Sequence, residues 1–413
     1  MNRTRPSLRL LGFASMAVLA LGPLSVTAAQ DATPPVAATP VAPLPPGAVV
    51  VAAGLANPRG VTVAEDGSVY VAEAGLGGEE PFESPAFGPS TRGATGLVSR
   101  ISPDGSKSTV ASGLPSFALG GVEVLGPAGI VAVDGTLYLT NSHFVPGVEP
   151  RPNDAAVLRI DPASGEVSTV ADLGAFERAN NPDGFILESD PYGIARGDDG
   201  ALYVADAGAN ALYRVDPAAG DLALVTVFPG LPGEGANPGR NGAAELDPVP
   251  TGVAPAPDGG VYVGFLGGFP FPPGSAKVVR AAYDGTLSDA ATGLTAVVDV
   301  EVGPDGLLYV TEFAAGFDAE GQTGWAADSG RVVRIREDGS SEVVAEGLNK
   351  PNGIAFDDAG NLYVAVDSDA PPQAGPQGQL LRFDAVALAG ENIRMDPVGV
   401  GTLAAGGLGN RRR

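Results

Sequence analysis

Side chains that could bind a cation recur at one position of a repeated sequence pattern. The pattern is marked by the tyrosines Tyr70, Tyr138, Tyr203, Tyr262, Tyr309 and Tyr363. The residues three positions after them are Glu73, Asn141, Asp206, Phe265, Glu312 and Val366. Carboxylate and amide oxygens are the ligands that Ca²⁺ takes in proteins, so their convergence would give a cation site. The alternative is that each carboxylate accepts hydrogen bonds from nearby backbone N–H groups at the end of a strand.

A second set of candidates lies where the first strand of each repeat begins, just before a recurring glycine. Its members are Arg59, Ala128, Tyr192, Thr251, Val298 with the adjacent Asp299, and Asn352. We expect these residues to line the mouth of a central channel. If they converge with the carboxylates of the first set, Asn352, Asp299, Asp206 and Glu73 would hold a divalent cation, Ca²⁺ or another.

Aromatic residues concentrate in the long connections between the repeats. They include Phe269 and Phe271 in "GGFPFPPGSA" and the only tryptophan, Trp325, in "AAGFDAEGQTGWAADSG". Aromatic side chains outside the strands favour an apolar rim over a ligand-binding mouth. The alternative is that they only hold the loops to one another. We therefore predict ligand contacts at Arg59, Tyr192, Phe269, Phe271 and Trp325.

The repeats that position these residues are built like "GLANPRGVTVAEDGSVYVAEAG" followed by "GLVSRISPDGSKSTVASGL". Each contains short runs of alternating apolar and polar residues joined by Asp-Gly-type turns, which is typical of antiparallel strands. Four strands per repeat, repeated six times, predict an all-β fold, a six-bladed β-propeller. The tight turns then share one face, and the long loops form the opposite face, where a site is expected.

The last repeat lacks a fourth strand, whereas "GAVVVAAGL" precedes the first repeat without a partner. We predict that this N-terminal strand completes the last blade and closes the ring, because closure removes exposed sheet edges. The C-terminal segment "GVGTLAAGG" is a competing candidate for the same edge.

The N-terminal sequence predicts that the protein is exported from the cytoplasm. Arg3, Arg5 and Arg9 precede an apolar run that ends in small residues, which is typical of a secretory signal peptide; an uncleaved membrane anchor is the alternative. The predicted organisation is a signal peptide at 1–29, an Ala/Pro-rich linker at 30–46, the propeller at 47–405 and a basic tail at 406–413. We expect a secreted or periplasmic monomer without a membrane span after cleavage.

Composition excludes several classes of function. The chain has 24 Lys and Arg against 48 Asp and Glu, a formal net charge of −24, which disfavours nucleic acid as a partner. It has no cysteine, so disulfides, thiol nucleophiles and thiolate metal sites are absent. His143 is the only histidine, which excludes multi-histidine metal sites, and we expect it to be an ordinary surface residue.

The "GLxxPxG…DGxLYVA" pattern resembles the NHL-type and gluconolactonase-like propellers over nearly the whole mature chain. More narrowly, "GLANPRGVTVAEDGSVYVAEAG", "GATGLVSRISPDG" and "VASGLPS" resemble the ScyD/ScyE family, secreted propellers associated with the biosynthesis of an aromatic pigment. The gluconolactonase-like resemblance implies a divalent metal held by Glu, Asn and Asp, with an Asp as base. Only Asn352 in "KPNG" lies in a matching motif. Arg59 occupies the position of the glutamate, and Asp299 is one residue out of register. The resemblance implies that Asp299 or Asp206 would serve as the catalytic base.

These observations predict a secreted propeller that binds a small molecule or a protein partner at its loop-rich face. The alternative is a metal-dependent lactone or ester hydrolase of gluconolactonase type.

Overall fold

The structure is a computed structural model that describes residues 44–144, 146–319 and 324–385. Strands make up 54% of the described residues and helices 4%, so the predicted all-β class is confirmed. The predicted signal peptide, most of the linker, the competing C-terminal segment and the basic tail lie outside the described residues. None of the described helices is long and apolar enough to span a membrane.

The strands follow the repeats of the sequence. In chain order they are β1 (Ala48–Leu55), β2 (Pro58–Val63), β3 (Val69–Glu73), β4 (Glu80–Ser84), β5 (Gly88–Ile101), β6 (Lys107–Leu119), β7 (Glu123–Leu125), β8 (Pro127–Val133), β9 (Thr136–Asn141), β10 (Ala156–Ile160), β11 (Val167–Asp172), β12 (Pro191–Arg196), β13 (Leu202–Asp206), β14 (Ala211–Val215), β15 (Leu222–Val227), β16 (Leu231–Asn237), β17 (Ala243–Leu246), β18 (Pro250–Pro255), β19 (Val261–Phe265), β20 (Ala276–Ala281), β21 (Leu287–Leu294), β22 (Val297–Val302), β23 (Leu308–Glu312), β24 (Phe317–Asp318), β25 (Gly324–Trp325), β26 (Gly330–Ile335), β27 (Ser341–Leu348), β28 (Ile354–Phe356), β29 (Leu362–Val366) and β30 (Gly378–Phe383).

Antiparallel pairing gathers most of these strands into larger sheets. Within the described residues, six sheets contain at least four strands each, in the orders β1-β30-β29-β28, β2-β3-β5-β6-β7, β11-β10-β9-β8, β12-β13-β14-β15, β18-β19-β20-β21 and β22-β23-β26-β27. The N-terminal strand β1 pairs with β30 of the last repeat, with Ala48 opposite Phe383. One sheet is therefore built from both ends of the described chain.

The tight turns follow from their sequence. In "EDGS" the Asp66 carboxylate accepts a hydrogen bond from the Ser68 backbone N–H at 2.9 Å. Gly67 has a φ of 78°, a conformation that costs glycine little because it lacks a Cβ. The same turn chemistry recurs at Asp199 and Asp305, which accept from the backbone two residues ahead. These turns fix where β3, β13 and β23 begin.

The sheets meet through their first strands. β2 contacts β8, β8 contacts β12, β12 contacts β18, β18 contacts β22, β22 contacts β28, and β28 contacts β2. Glycine makes this approach possible: a Cβ at Gly60 would lie 2.6 Å from the Ala128 carbonyl oxygen, and one at Gly193 would lie 2.2 Å from that of Thr251. The first strands therefore contact one another in a continuous series.

The apolar core lies between neighbouring sheets. One cluster joins Tyr203 and Leu212 of one sheet to Val263 and Phe265 of the next. A second joins Val71 of the first repeat to Leu380 of the last. Burying one large apolar side chain contributes about 1.5–3 kcal/mol, so sheet-to-sheet packing is a main source of stability.

Several connections expected to be irregular loops contain regular structure. An eight-residue helix, α1 (Leu173–Asn180), forms where the sequence analysis expected a loop. Its N-terminus is stabilised because the Asp172 side chain accepts a hydrogen bond from the Ala175 N–H at 2.7 Å. The other long connections contain β4, β7 and the two-stranded sheets β16-β17 and β24-β25, and the short 3₁₀ helices span Pro238–Arg240 and Pro372–Ala374.

Candidate functional site

A cavity of about 780 Å³, counting the space open to solvent, lies at the loop-bearing ends of the first strands. We call it the mouth cavity. Residues from the starts of β2, β12, β18 and β22 line it, together with residues that directly follow the second strands. Its lining comprises Arg59, Glu123, Leu125, Glu188, Asp190, Tyr192, Ala207, Gly208, Val249, Thr251, Leu266, Phe271, Val298, Phe313, Trp325 and Asp369.

Hydrogen bonds between different sheets connect Tyr192 with Asn352 and Arg59 beside the mouth cavity. The Tyr192 hydroxyl donates to Asn352 Oδ1 at 2.9 Å and lies 2.8 Å from Asn352 Nδ2. Arg59 Nη1 lies 3.5 Å from the same hydroxyl, and Arg59 Nη2 donates to the Val124 carbonyl at 2.8 Å. Burial raises the pKa of Tyr192, which keeps its hydroxyl protonated. Arg59 and Tyr192 form the floor of the mouth cavity, and Asn352 contacts Tyr192 from outside this lining.

One wall of the mouth cavity is aromatic. The Trp325 ring lies 4.7 Å from the Phe271 ring and 5.3 Å from the Phe313 ring, measured between centroids. Phe317 packs edge-on against Trp325 and Phe271 from outside the cavity. Phe269 is 40% exposed and contacts Phe271 at 6.1 Å, which places it beside this wall rather than in it. We call Phe271, Phe313 and Trp325 the aromatic wall.

Carboxyl groups form a second part of the lining. Glu123, Glu188, Asp190 and Asp369 all line the cavity, and we call them the acidic wall. Burial, followed by the nearby Asp369, raises the pKa of Glu123 to about 8. Burial, followed by the nearby Asp190, raises the pKa of Glu188 to about 8. Both glutamates are therefore mainly protonated at neutral pH and can donate as well as accept hydrogen bonds.

A second cavity of about 400 Å³, again counting the space open to solvent, shares Tyr192 and Val298 with the mouth cavity. Asn352 and Asp299 line it together with Glu301, which is two residues after Asp299 on β22. Burial raises the pKa of Asp299 to about 7. Burial and the Asp299 carboxyl raise the pKa of Glu301 to about 8.

Asp299 occupies the position that glycine has in the other first strands. Val297 pairs with Glu312 at the end of β23, just as Pro250 pairs with Phe265 at the end of β19, so Asp299 corresponds to Gly252. Its carboxylate accepts a hydrogen bond from the Ile354 N–H of the next sheet at 2.8 Å. The side chain thus bridges β22 and β28 where glycine elsewhere permits direct backbone approach.

Each second strand ends at the residue three positions after its tyrosine, as predicted. The carboxylates among these residues accept hydrogen bonds from other parts of the protein. Glu73 accepts from the Ala56 N–H at 2.6 Å and from the Ser99 hydroxyl at 2.5 Å. Glu312 accepts from the Thr295 N–H at 2.6 Å and pairs with Arg331.

Asp206 accepts four hydrogen bonds: from the Ser189 hydroxyl and the Asp190 N–H at 2.6 Å each, and from the N–H groups of Gly208 at 3.2 Å and Ala209 at 3.1 Å. It therefore holds the segment that carries Glu188 and Asp190 against the mouth cavity.

The predicted site residues separate into groups. Arg59, Tyr192, Phe271 and Trp325 meet in the mouth cavity. Asn352 and Asp299 meet in the second cavity. Glu73 and Asp206 line neither of these two cavities. Among the described residues, no group of three or more His, Cys, Asp or Glu side chains is arranged to hold a metal ion.

His143 is not the surface residue that we expected. It is 5% exposed, lies edge-on to Phe117 at 6.0 Å between ring centroids, and has Nε2 3.7 Å from Glu188 Oε1. Burial lowers its pKa, so the neutral imidazole is favoured. The sequence pattern did not reveal Glu123, Glu188 or Asp369 either, because they lie in connections outside the repeated strands.

Comparison with known proteins supports the fold. Residues 193–372 match the model of the SMP-30/gluconolactonase/LRE-like region. That match covers less than half of the chain. No curated protein sequence matches the chain. The narrower resemblance to the ScyD/ScyE family stays a prediction.

Solved structures with propeller-like folds resemble the chain at low sequence identity. A protein of unknown function from Bacteroides thetaiotaomicron has a TM-score of 0.51 at 14% identity, over 82% of this chain and 75% of that one. Virginiamycin B lyase from Staphylococcus aureus has a TM-score of 0.45 at 15% identity, over 81% of this chain and 97% of the lyase chain. The PQQ-bound aldose sugar dehydrogenase from Streptomyces coelicolor has a TM-score of 0.47 at 15% identity, over 83% of this chain and 99% of the dehydrogenase chain.

Proposed function

We propose that the chain is a secreted, closed six-bladed β-propeller that binds a small aromatic molecule in its mouth cavity. The continuous series of contacts between first strands supports six blades in a ring, and the pairing of β1 with β30 supports closure. The signal-like N-terminal sequence supports secretion.

The observation that carries the binding proposal is the lining of the mouth cavity. Phe271, Phe313 and Trp325 provide an apolar surface, whereas Glu123 and Glu188 provide polar groups beside it. Small-molecule sites typically combine a mostly apolar lining with a few polar groups that fix orientation. Aromatic rings pair favourably with one another in edge-on or offset arrangements, which favours an aromatic ligand over a purely polar one.

Trp325 makes the proposal measurable because it is the only tryptophan and lies in the aromatic wall. We expect saturable changes in its fluorescence when phenethyl alcohol and related non-indole aromatics are added. Phe313→Leu should weaken binding, because it removes a ring that contacts Trp325. The matched control is Phe356→Leu, which removes a ring packed on Tyr309 away from the cavity. Unchanged affinity in Phe313→Leu, or equal weakening in both variants, contradicts the proposal.

A metal-dependent lactone hydrolase is the second candidate, supported by the family-model match and by Asn352 and Asp299 lining one cavity. The arrangement does not fit a bound metal. Both Asn352 amide atoms contact the Tyr192 hydroxyl, and both Asp299 oxygens accept backbone N–H groups.

A chelator distinguishes the two candidates. We expect EDTA, and Ca²⁺ added after it, to leave the unfolding midpoint unchanged. A metal that binds the folded state at a hundred times its dissociation constant would add about 2.7 kcal/mol, and such a shift would favour the hydrolase.

A further inference from the structure

We propose that the ligand of the mouth cavity carries a protonated amine beside its aromatic group. This inference rests on the proposed binding function and specifies the class of ligand. The amine binds the carboxylates of Asp190 and Asp369, and the aromatic group contacts the aromatic wall.

Two carboxylate oxygens of the acidic wall accept no hydrogen bond within the described residues. Asp190 Oδ1 and Asp369 Oδ1 are buried, and neither has a hydrogen-bond partner among the described residues. The Asp369 side chain is only 9% exposed, and both residues line the mouth cavity. Leaving a buried acceptor atom without a hydrogen bond is costly, so a donor from a ligand would be stabilised beside these two oxygens.

The basic groups next to the acidic wall already have protein partners. Lys350 Nζ donates to both Oδ2 and the backbone carbonyl of Asp369, at 2.9 Å each. Arg59 donates to the Val124 carbonyl and approaches the Tyr192 hydroxyl. The groups left to be matched are therefore acceptors, which favours a cationic ligand over an anionic one.

The wider charge distribution acts in the same direction. The whole chain has a formal charge of −24, which attracts cations and repels anions over the distance of a Debye length. The aromatic wall adds a second attraction, because ring faces bind cations favourably. An arylalkylamine satisfies the apolar and the acidic parts of the cavity together.

Three compounds of similar size test this inference: phenethylamine, phenethyl alcohol and 3-phenylpropionate. The full chain is titrated with each, with Trp325 fluorescence and calorimetry as readouts. We expect phenethylamine to bind at least about tenfold more tightly than phenethyl alcohol, since a charge-assisted hydrogen bond contributes about 1.5–3 kcal/mol. We expect 3-phenylpropionate to bind more weakly than the alcohol.

Asp190→Asn should lower the affinity for phenethylamine about tenfold and leave that for phenethyl alcohol unchanged. Asp369→Asn is a second test that does not depend on how the first variant folds. The matched control is Asp358→Asn, which removes the same charge from an exposed turn on the opposite face and should change neither affinity.

The outcomes distinguish a failure of the amine inference from a failure of the proposed binding function. If the alcohol binds as tightly as the amine, or the propionate binds more tightly, the amine inference is wrong and the proposed binding function stands. If none of the three compounds binds, the proposed function itself is wrong. If Ca²⁺ binds and displaces phenethylamine, the unpartnered oxygens form a metal site and the amine inference is overturned.

Discussion

Glu177 on α1 should make the stability of the protein depend on pH. The residue is fully buried, and neither carboxylate oxygen has a well-placed hydrogen-bond partner among the described residues. Burial, followed by the nearby Asp206 and Asp183, raises its pKa from 4.5 to about 8, and the Glu188 backbone N–H offsets only part of this effect. The folded state therefore retains a proton that the unfolded state releases.

The direction and the size of this pH effect follow from the difference in the Glu177 pKa between the folded and the unfolded state. Because the folded pKa is the higher one, this contribution is fully present below pH 4.5, is lost as pH rises, and is absent above about pH 8. At 1.36 kcal/mol per pH unit, the full difference is on the order of 5 kcal/mol. Glu177→Gln replaces the group with a neutral side chain of nearly the same shape and removes the dependence.

Urea unfolding of the wild type and Glu177→Gln at a series of pH values measures this effect. We expect similar stability near pH 4.5 and a growing advantage for the variant up to pH 8. The matched control is Glu166→Gln, an exposed glutamate in a turn, which should follow the wild type at every pH. Parallel curves for the wild type and Glu177→Gln would refute the argument.

Two further predictions concern residues that position the mouth cavity. Asp206→Ala should lower the free energy of unfolding by about 3 kcal/mol or more, because it leaves buried backbone N–H groups unpaired, and should also weaken phenethylamine binding because Asp190 loses its support. Urea unfolding together with the titration measures both, and normal binding in a folded variant would contradict the positioning role. Tyr192→Phe should lower the free energy of unfolding by about 2 kcal/mol, since it removes the hydroxyl that contacts Asn352. Unchanged stability in urea would show that the floor does not depend on this contact.

The strand pattern could be predicted from the sequence because each strand repeats the same local signals. The second strands end three residues after the tyrosines, at Glu73 and Asp206 for example, because the Asp-Gly turn before each of them fixes its start. The pairing of β1 with β30 could also be predicted from the sequence. The last repeat lacks a fourth strand, and β1 precedes the first repeat without a partner there. Whether the ring has six closed blades stays a prediction.

The site was harder to predict because its residues come from segments without a repeat. Asp299 lies one residue beyond the lining position of Val298, as the sequence indicated, but its bridge to the next sheet could not be predicted because glycine fills this position in the other first strands. Glu188 and Asp369 enter the mouth cavity through connections whose paths depend on tertiary contacts, such as the hydrogen bonds to Asp206. His143 is buried because Phe117 of β6 packs edge-on against it, a tertiary contact that the local sequence does not indicate.

The most direct test of the account is a crystal structure of the full chain with phenethylamine. The account predicts the aromatic ring against Trp325 and Phe313, and the ammonium group within hydrogen-bond distance of Asp190 and Asp369. Phenethylamine bound outside the mouth cavity, or a mouth cavity empty of it at saturating concentration, would contradict the account.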